Sequence, residues 1–253
     1  MNFIRRRRKS ASTVIYIPVA AFLIVLFAAF GTSAFLKVLY IEVAGVSMYT
    51  EEDIIVASGI LPSNNLLFLD VSAVQARICG EMPYISDVVV TRVLPDTISI
   101  NITESKAVAT VRYQNDVLVI DSSCRVLEYT DAVPAGLIEV RGFSPFSPET
   151  GSAMRAEPGG ETRLQYLTDV LKAMDKEGVC DDVSYVDVSN IVGINFWYLG
   201  RFEVTLGGSS NVQQKLSRLP QIVETINEDH GPEEKGRITM SDSSGRSTFY
   251  PYR

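Results

Sequence analysis

Residues 85–103 read Ile85-Ser86-Asp87-Val88-Val89-Val90-Thr91-Arg92-Val93-Leu94-Pro95-Asp96-Thr97-Ile98-Ser99-Ile100-Asn101-Ile102-Thr103. Ile85–Val93 is β-branched and mostly apolar, which favours a strand. Leu94-Pro95-Asp96-Thr97 reads as a tight turn with proline at its second position. Ile98, Ile100 and Ile102 then alternate with Ser99, Asn101 and Thr103, the pattern of a half-buried strand with one wet face. Working back along the chain, Asp70 can cap a helix in which Val71, Val74 and Ile78 share a face, with Gly80 as its end. Thr50-Glu51-Glu52-Asp53 reads as a capping box that opens a shorter helix to Ser58, stopped by Gly59. Val38–Val43 is β-rich. The order is β-α-α-β-β, an α+β module.

Before this module no charge occurs from Ala11 to Leu36. Val14–Leu36 is an apolar run of 23 residues. At about 1.5 Å per residue it spans roughly 35 Å as a helix, enough for a hydrocarbon core of about 30 Å with some tilt. The run must be helical, because lipid offers its backbone no hydrogen-bond partners. Pro18 falls in the first turn, where its missing N–H costs little. The apolar stretch of a cleaved signal is only about 7–15 residues long, so this run reads as an anchor. Arg5, Arg6, Arg7, Arg8 and Lys9 precede it and assign that end to the cytoplasm. The expected plan is a cytoplasmic basic tail (1–13), a transmembrane helix (14–36) and an extracytoplasmic remainder. Residues 1–40 hold six basic and no acidic side chains; 41–253 hold 17 basic and 30 acidic, a formal net of −13. So acidic a segment argues against nucleic acid as a partner, since binding it requires neutralisation of phosphates.

Beyond the module, residues 105–253 read as a second unit, richer in strands. Val108–Tyr113, Val117–Ile120 and Arg125–Glu128 are short strands between polar turns. Phe143–Gly160 is a loop. Glu161–Glu177 is an amphipathic helix with Leu164, Leu167, Leu171 and Met174 inward and Gly178 at its end. Val183–Ser189, Ile194–Leu199 and Phe202–Leu206 are further strands. Asn211–Asn227 is a second long helix with Leu216, Leu219, Val223 and Ile226 on one face, and Pro220 should kink it. Arg237–Ser241 and Arg246–Tyr250 form a closing hairpin.

No catalytic motif is present: there is no G-x-S-x-G, H-E-x-x-H, Walker motif or G-x-G-x-x-G. The single histidine, His230, is placed in a loop beside Gly231-Pro232. Cys79, Cys124 and Cys180 lie far apart with no C-x-x-C pair, so they read as small buried hydrophobes rather than a metal or redox site. The reading is of a protein without catalytic residues, cofactor, metal or small-molecule substrate.

Several strings resemble the FtsQ/DivIB family of bacterial cell-division proteins. Ile41-Glu42-Val43-Ala44-Gly45 is similar to that family's I-x-V-x-G, and Asn65–Asp70 to its N-L-F-x-L-D. Pro83–Ile98, with Pro83, Arg92 and Pro95, resembles P-W-V-x-x-A-x-V-x-R-x-x-P-x-T-L. Glu104 stands where E-R-x-P-V-A begins, although Arg and Pro are missing after it. Val119–Leu127 is similar to L-V-D-x-x-G-x-V, with Cys124 at the usual glycine. Val204–Gly207 followed by Lys215–Leu219 resembles V-x-L-G…K-x-x-R-L. Gly45, Pro83, Arg92, Pro95, Glu104, Gly207 and Lys215 are the structural positions of this pattern.

The resemblance implies a POTRA domain over 37–104 and a mixed-sheet β domain with two longer helices over 105–253. It also implies a non-enzymatic scaffold of the divisome, located in the cytoplasmic membrane at the division septum. Its partners would be small bitopic division proteins, FtsB/DivIC-like and FtsL-like, bound largely through the last strand and the helix near it. Here that strand carries Arg246, Ser247, Thr248, Phe249, Tyr250 and Tyr252. An edge strand offers unpaired N–H and C=O groups for β-augmentation. The alternative is a membrane-anchored POTRA protein serving secretion or envelope assembly.

Overall fold

The computed structural model describes residues 16, 18–25, 36–190, 192–240 and 247–252. Residues 16 and 18–25 are helical. Among the described residues no helix is long and apolar enough to cross a membrane. The basic tail and most of the expected span lie outside the described residues. The remainder divides into two compact units: one runs to Ile78 and takes in Asp87–Thr103, and the other comprises Cys79–Ser86 and Glu104–Arg253.

The first unit is built from β1 (Tyr40–Ala44), α1 (Glu51–Ser58), α2 (Val71–Glu81), β2 (Ile85–Val93) and β3 (Thr97–Glu104). Among the described residues these strands form a three-stranded sheet in the order β1-β3-β2, with β1 parallel to β3. The expected capping box forms. The Thr50 hydroxyl accepts the Asp53 N–H at 3.1 Å, and the Asp53 carboxylate accepts the Thr50 N–H at 3.1 Å. The bond from the Thr50 hydroxyl holds the Asp53 carboxyl below its ordinary range. The Asp70 carboxylate accepts the N–H groups of Ser72 and Ala73 at 3.0 and 3.1 Å, and α2 then buries Val74 and Ile78. Gly80 does not end this helix, which continues to Glu81. Glycine lowers helix stability by about 1 kcal/mol, too little to stop a helix whose apolar face is already buried. The Leu94–Pro95 peptide in the β2–β3 turn is cis. Ile98, Ile100 and Ile102 point inward, as their alternation implies.

The second unit adds β4 (Ala109–Tyr113), β5 (Asp116–Ile120), β6 (Val126–Thr130), β7 (Ile138–Arg141), α3 (Glu161–Glu177), β8 (Val183–Asp187), β9 (Asn195–Tyr198), β10 (Phe202–Thr205), α4 (Val212–His230), β11 (Gly236–Met240) and β12 (Ser247–Pro251). Among the described residues these strands form one nine-stranded mixed sheet in the order β12-β11-β10-β9-β8-β7-β4-β5-β6. β7 was not expected. It lies between β4 and β8 and is parallel to both. α4 runs unbroken through Pro220 and ends at His230, which is helical rather than in a loop. The two helices pack on each other and bury Leu167, Leu171, Met174, Leu216, Leu219, Val223 and Ile226 in one cluster with Phe196, Phe202, Val204 and Ile238 of the sheet. Fully burying such a side chain contributes about 1.5–3 kcal/mol, so this cluster dominates the unit's stability.

Gly45 shows how closely the first unit is fitted. Its φ is +87°, and a Cβ there would collide with the Ile102 carbonyl on β3. The left-handed conformation costs a non-glycine residue roughly 1–2 kcal/mol before any clash. Gly45→Ala should therefore lower the unfolding free energy by about 2–3 kcal/mol, read as a lower urea midpoint with an unchanged m-value.

Candidate partner-binding edge

β12 closes one end of the nine-stranded sheet. It pairs antiparallel with β11, from Ser247↔Met240 to Pro251↔Gly236. The Tyr252 N–H bonds inward to the Lys235 carbonyl at 2.9 Å. In an antiparallel ladder such inward bonds fall on alternate residues. Tyr250 and Thr248 therefore also bond inward, while Ser247, Phe249 and Pro251 turn their backbone groups outward. Pro251 thus costs no ladder bond, because its missing N–H falls on the open side.

Side chains on β12 also divide by alternation. Phe249 turns to the core. Its ring meets Phe202 edge-on, with centroids 6.0 Å apart, and lies 5.4 Å from the His230 ring. Gly236 beneath it has no room for a side chain, since a Cβ would come within 2.5 Å of the Phe249 ring. Tyr250 and Tyr252 lie on the opposite face, 58% and 45% exposed. Arg246 lies outside the described residues. The six expected binding residues are therefore not equivalent: Phe249 belongs to the core, whereas Ser247, Thr248, Tyr250 and Tyr252 are exposed.

The face that carries the tyrosines is polar and ordered. The Tyr252 hydroxyl donates to Glu203 Oε2 at 3.0 Å. Arg237 donates to the same oxygen through Nε and Nη2, at 3.0 and 2.8 Å. Burial, and then the adjoining Glu203, raise the Tyr252 hydroxyl above its ordinary value, so it remains a proton donor at neutral pH. Register carries this row across the sheet: Glu139 is opposite Tyr185, Tyr185 opposite Trp197, Trp197 opposite Glu203, Glu203 opposite Arg237 and Arg237 opposite Tyr250. At its far end Glu139 accepts from Arg112 and Arg141, and the Arg141 guanidinium stacks 4.0 Å over the Tyr185 ring. The bond from Arg141 leads in holding the Glu139 carboxyl below its ordinary range. Sequence reasoning placed Arg112, Tyr185, Trp197, Glu203, Arg237 and Tyr250 on strands but not Glu139 and Arg141, and it did not join them, because the row exists only once strand order and register are fixed.

Two cations brace the elements behind the edge. The buried Lys215 ammonium donates to the carbonyls of Leu206 and Gly208 at 2.7 and 3.1 Å, around Gly207 with its φ of +74°. Arg201 donates to Asn227 Oδ1 at 2.9 Å and to the Pro232 carbonyl, tying the β9–β10 turn to the segment that leads into β11. In the first unit Arg92 plays a similar part, donating to the carbonyls of Leu66 and Leu69 at 2.8 and 2.6 Å. Pro83 is half-buried between α2 and β2, Pro95 stands in the β2–β3 turn and Glu104 ends β3.

All three cysteines are free thiols. Burial raises the Cys124 thiol to about 11, against a hydrogen bond from Thr168 that acts the other way, and raises the Cys180 thiol likewise to about 11. Cys124 holds the left-handed conformation, at φ +59°, that glycine would adopt there. Among the described residues no three His, Cys, Asp or Glu side chains gather as a metal site.

Residues 36–105 match the family described as POTRA domain, FtsQ-type. The chain is 26% identical to the cell division protein DivIB of Clostridium tetani, over 82% of this chain and 77% of that one. Over most of its length the chain is thus similar to cell-division proteins named DivIB and FtsQ. The cell division protein FtsQ of Corynebacterium glutamicum is 25% identical over 81% of this chain and 88% of its own. DivIB of Brevibacillus brevis is 33% identical over 42% of this chain and 39% of its own. The solved major extracytoplasmic domain of DivIB from Geobacillus stearothermophilus is similar at 13% identity and a TM-score of 0.32, covering 50% of this chain and 98% of that chain, too loose a likeness to build on. The relatives that carry FtsQ and DivIB names are cell-division proteins, and their matches cover most of this chain.

Replacing Lys215 by Met leaves two carbonyls short of their donor and should cost about 1–3 kcal/mol in urea unfolding. The thiols give a second test. A thiol raised to about 11 holds almost no thiolate at neutral pH. In native protein iodoacetamide should therefore leave Cys124 unmodified near pH 7.5 and label it only in urea, as read by peptide mass spectrometry. Native labelling should increase only as the pH climbs toward 11.

Proposed function

We propose that this chain is a non-enzymatic scaffold of the bacterial divisome, anchored in the cytoplasmic membrane at the septum. In this reading residues 1–13 remain in the cytoplasm, 14–36 cross the bilayer, and a POTRA domain (37–104) and a β domain (105–253) lie outside. Its partners are FtsB/DivIC-like and FtsL-like bitopic proteins, and its work is to organise septal wall synthesis by binding them, with no substrate or cofactor of its own. The family's cell-division names and the uncharged run behind an arginine cluster support the setting.

The observation that carries the binding reading is β12. Among the described residues its outer side has no strand neighbour. Its backbone groups are therefore open to an added strand, and two tyrosines flank them. Tyrosine supplies large contact area at low conformational cost and is common among residues that dominate interfaces.

The experiment is a pull-down of the FtsB/DivIC-like partner with Tyr250→Asp, alongside midcell imaging of the tagged chain. Binding should fall about tenfold or more, while the melting curve stays within about 0.5 kcal/mol of the parent, as for surface substitutions generally. Phe249→Ala, by contrast, should weaken the fold itself. Full binding by a folded Tyr250→Asp chain would remove β12 from the site, and a uniform envelope signal would favour a secretion or assembly role.

A further inference from the structure

We propose that the end of the first unit where the chain enters it is a membrane-docking surface, in which Leu67 and Phe68 insert into the interfacial layer of the leaflet the chain has just left. This rests on the reading of residues 14–36 as a membrane span. In that reading Leu36 is the last residue of the span. Its carbonyl already accepts the Leu66 N–H at 2.7 Å. Lys37 and Asn65 form an antiparallel bridge, and the Val38 N–H bonds to the Asn64 carbonyl at 3.0 Å. The loop 64–68 is therefore hydrogen-bonded to the first residues out of the bilayer, with no tether between. At about 3.5 Å per residue, Leu67 and Phe68 lie within roughly 7–10 Å of that point. The headgroup layer on each side of the hydrocarbon core is of similar thickness, about 5–8 Å.

The loop is fixed with its apolar side chains outward. Asn65 Oδ1 accepts the Leu67 N–H at 2.9 Å, and the Asn65 carbonyl accepts the Leu69 N–H at 3.0 Å. Arg92 reaches across from β2 to hold the carbonyls of Leu66 and Leu69. These bonds hold the loop from within, and Phe68 stands 82% exposed, the most exposed large apolar side chain among the described residues. Leu67 beside it is 45% exposed.

Apolar exposure continues around the point where the chain enters. The N–H groups of Leu39 and Tyr40 both bond to the Asp96 carbonyl, which brings the β2–β3 turn to the same end. Leu39, Tyr40 and Leu94 are 62%, 63% and 63% exposed. Scattered apolar side chains on a surface need no explanation, but a cluster marks an interaction site. Leucine with aromatic residues suits the lipid interface, where aromatic rings sit at headgroup level. The charges fit as well. Lys37 is exposed beside the cluster, Asp70 is engaged by the N–H groups of α2, and Asp96 accepts the Thr97 hydroxyl. The occupant is lipid rather than protein because any partner at this end would have to displace the bilayer that the span itself holds there.

The test uses the full chain in vesicles of phosphatidylglycerol and phosphatidylethanolamine. Phe68→Trp places a reporter on the loop, Leu23→Trp places one in the span, and the unsubstituted chain with Trp197 sets the baseline. Matched melting curves check that each variant folds. Lipids brominated high on the acyl chain should quench the added emission of Phe68→Trp about twofold and shift it to the blue, as expected for shallow insertion. Lipids brominated deep in the chain should quench Leu23→Trp. A quenched Leu23→Trp with an unquenched, solvent-like Phe68→Trp overturns the docking surface alone. An unquenched Leu23→Trp overturns the span, and the docking surface with it.

Discussion

Two parallel neighbours in a sheet can be joined only by a crossover, and in a right-twisted sheet that crossover is right-handed. The second unit meets this constraint with a helix twice. β7 passes through α3 to β8, and β10 passes through α4 to β11. β8 and β10 are each antiparallel to β9, so β7 and β10 point the same way, and both crossovers step in the same direction along the sheet. One handedness therefore places both helices on one face, where they pack on each other. That face becomes the apolar core. From β8 to β12 the other face is left to polar and aromatic side chains, which is why Glu203, Arg237 and Tyr252 meet there. Toward the other end Thr110, Val117 and Val119 are buried as well, so the open polar row runs from β12 only as far as Glu139 on β7 and its partner Arg112.

The elements legible in the sequence were those whose own residues hold the signal. Thr50 and Asp53 cap a helix with atoms three residues apart, and the isoleucines of β3 alternate within a single strand. The apolar faces of α3 and α4 repeat often enough to be seen without knowing what they cover. β7 escaped because four residues carry only two inward side chains, Ile138 and Val140, too few to establish a period. Its existence is decided by β4 and β8 on either side. The helix ends were missed at Gly80 and Asn227 for a related reason: packing of the preceding turns outweighs a local stop signal.

The candidate edge was legible as a place but not as a set of roles. The last strand was reached through the resemblance to the FtsQ/DivIB proteins. Which of its aromatics faces the core depends on register against Ile238 and Arg237, and this assigns Phe249 to the fold and leaves Tyr250 and Tyr252 on the surface. Arg92, Lys215 and Arg201 tell a similar story. In sequence the first two are motif positions, and the third stands between two expected strands, Ile194–Leu199 and Phe202–Leu206. In the fold each supplies hydrogen bonds to carbonyls of another segment, a need invisible until the backbone path is known.

Pro251 gives the edge a reading frame. Of the three β12 residues whose backbone faces outward, Ser247 and Phe249 present both a donor and an acceptor, while Pro251 presents an acceptor only. A strand laid along this edge would find two N–H groups and three carbonyls. Sliding it by one pair would set one of its own carbonyls against the proline ring and strand it without a donor. The edge is thus not a uniform adhesive rail. It favours alignments that stop short of Pro251, through a group that is missing, and it interrupts pairing at the C-terminal end of the strand.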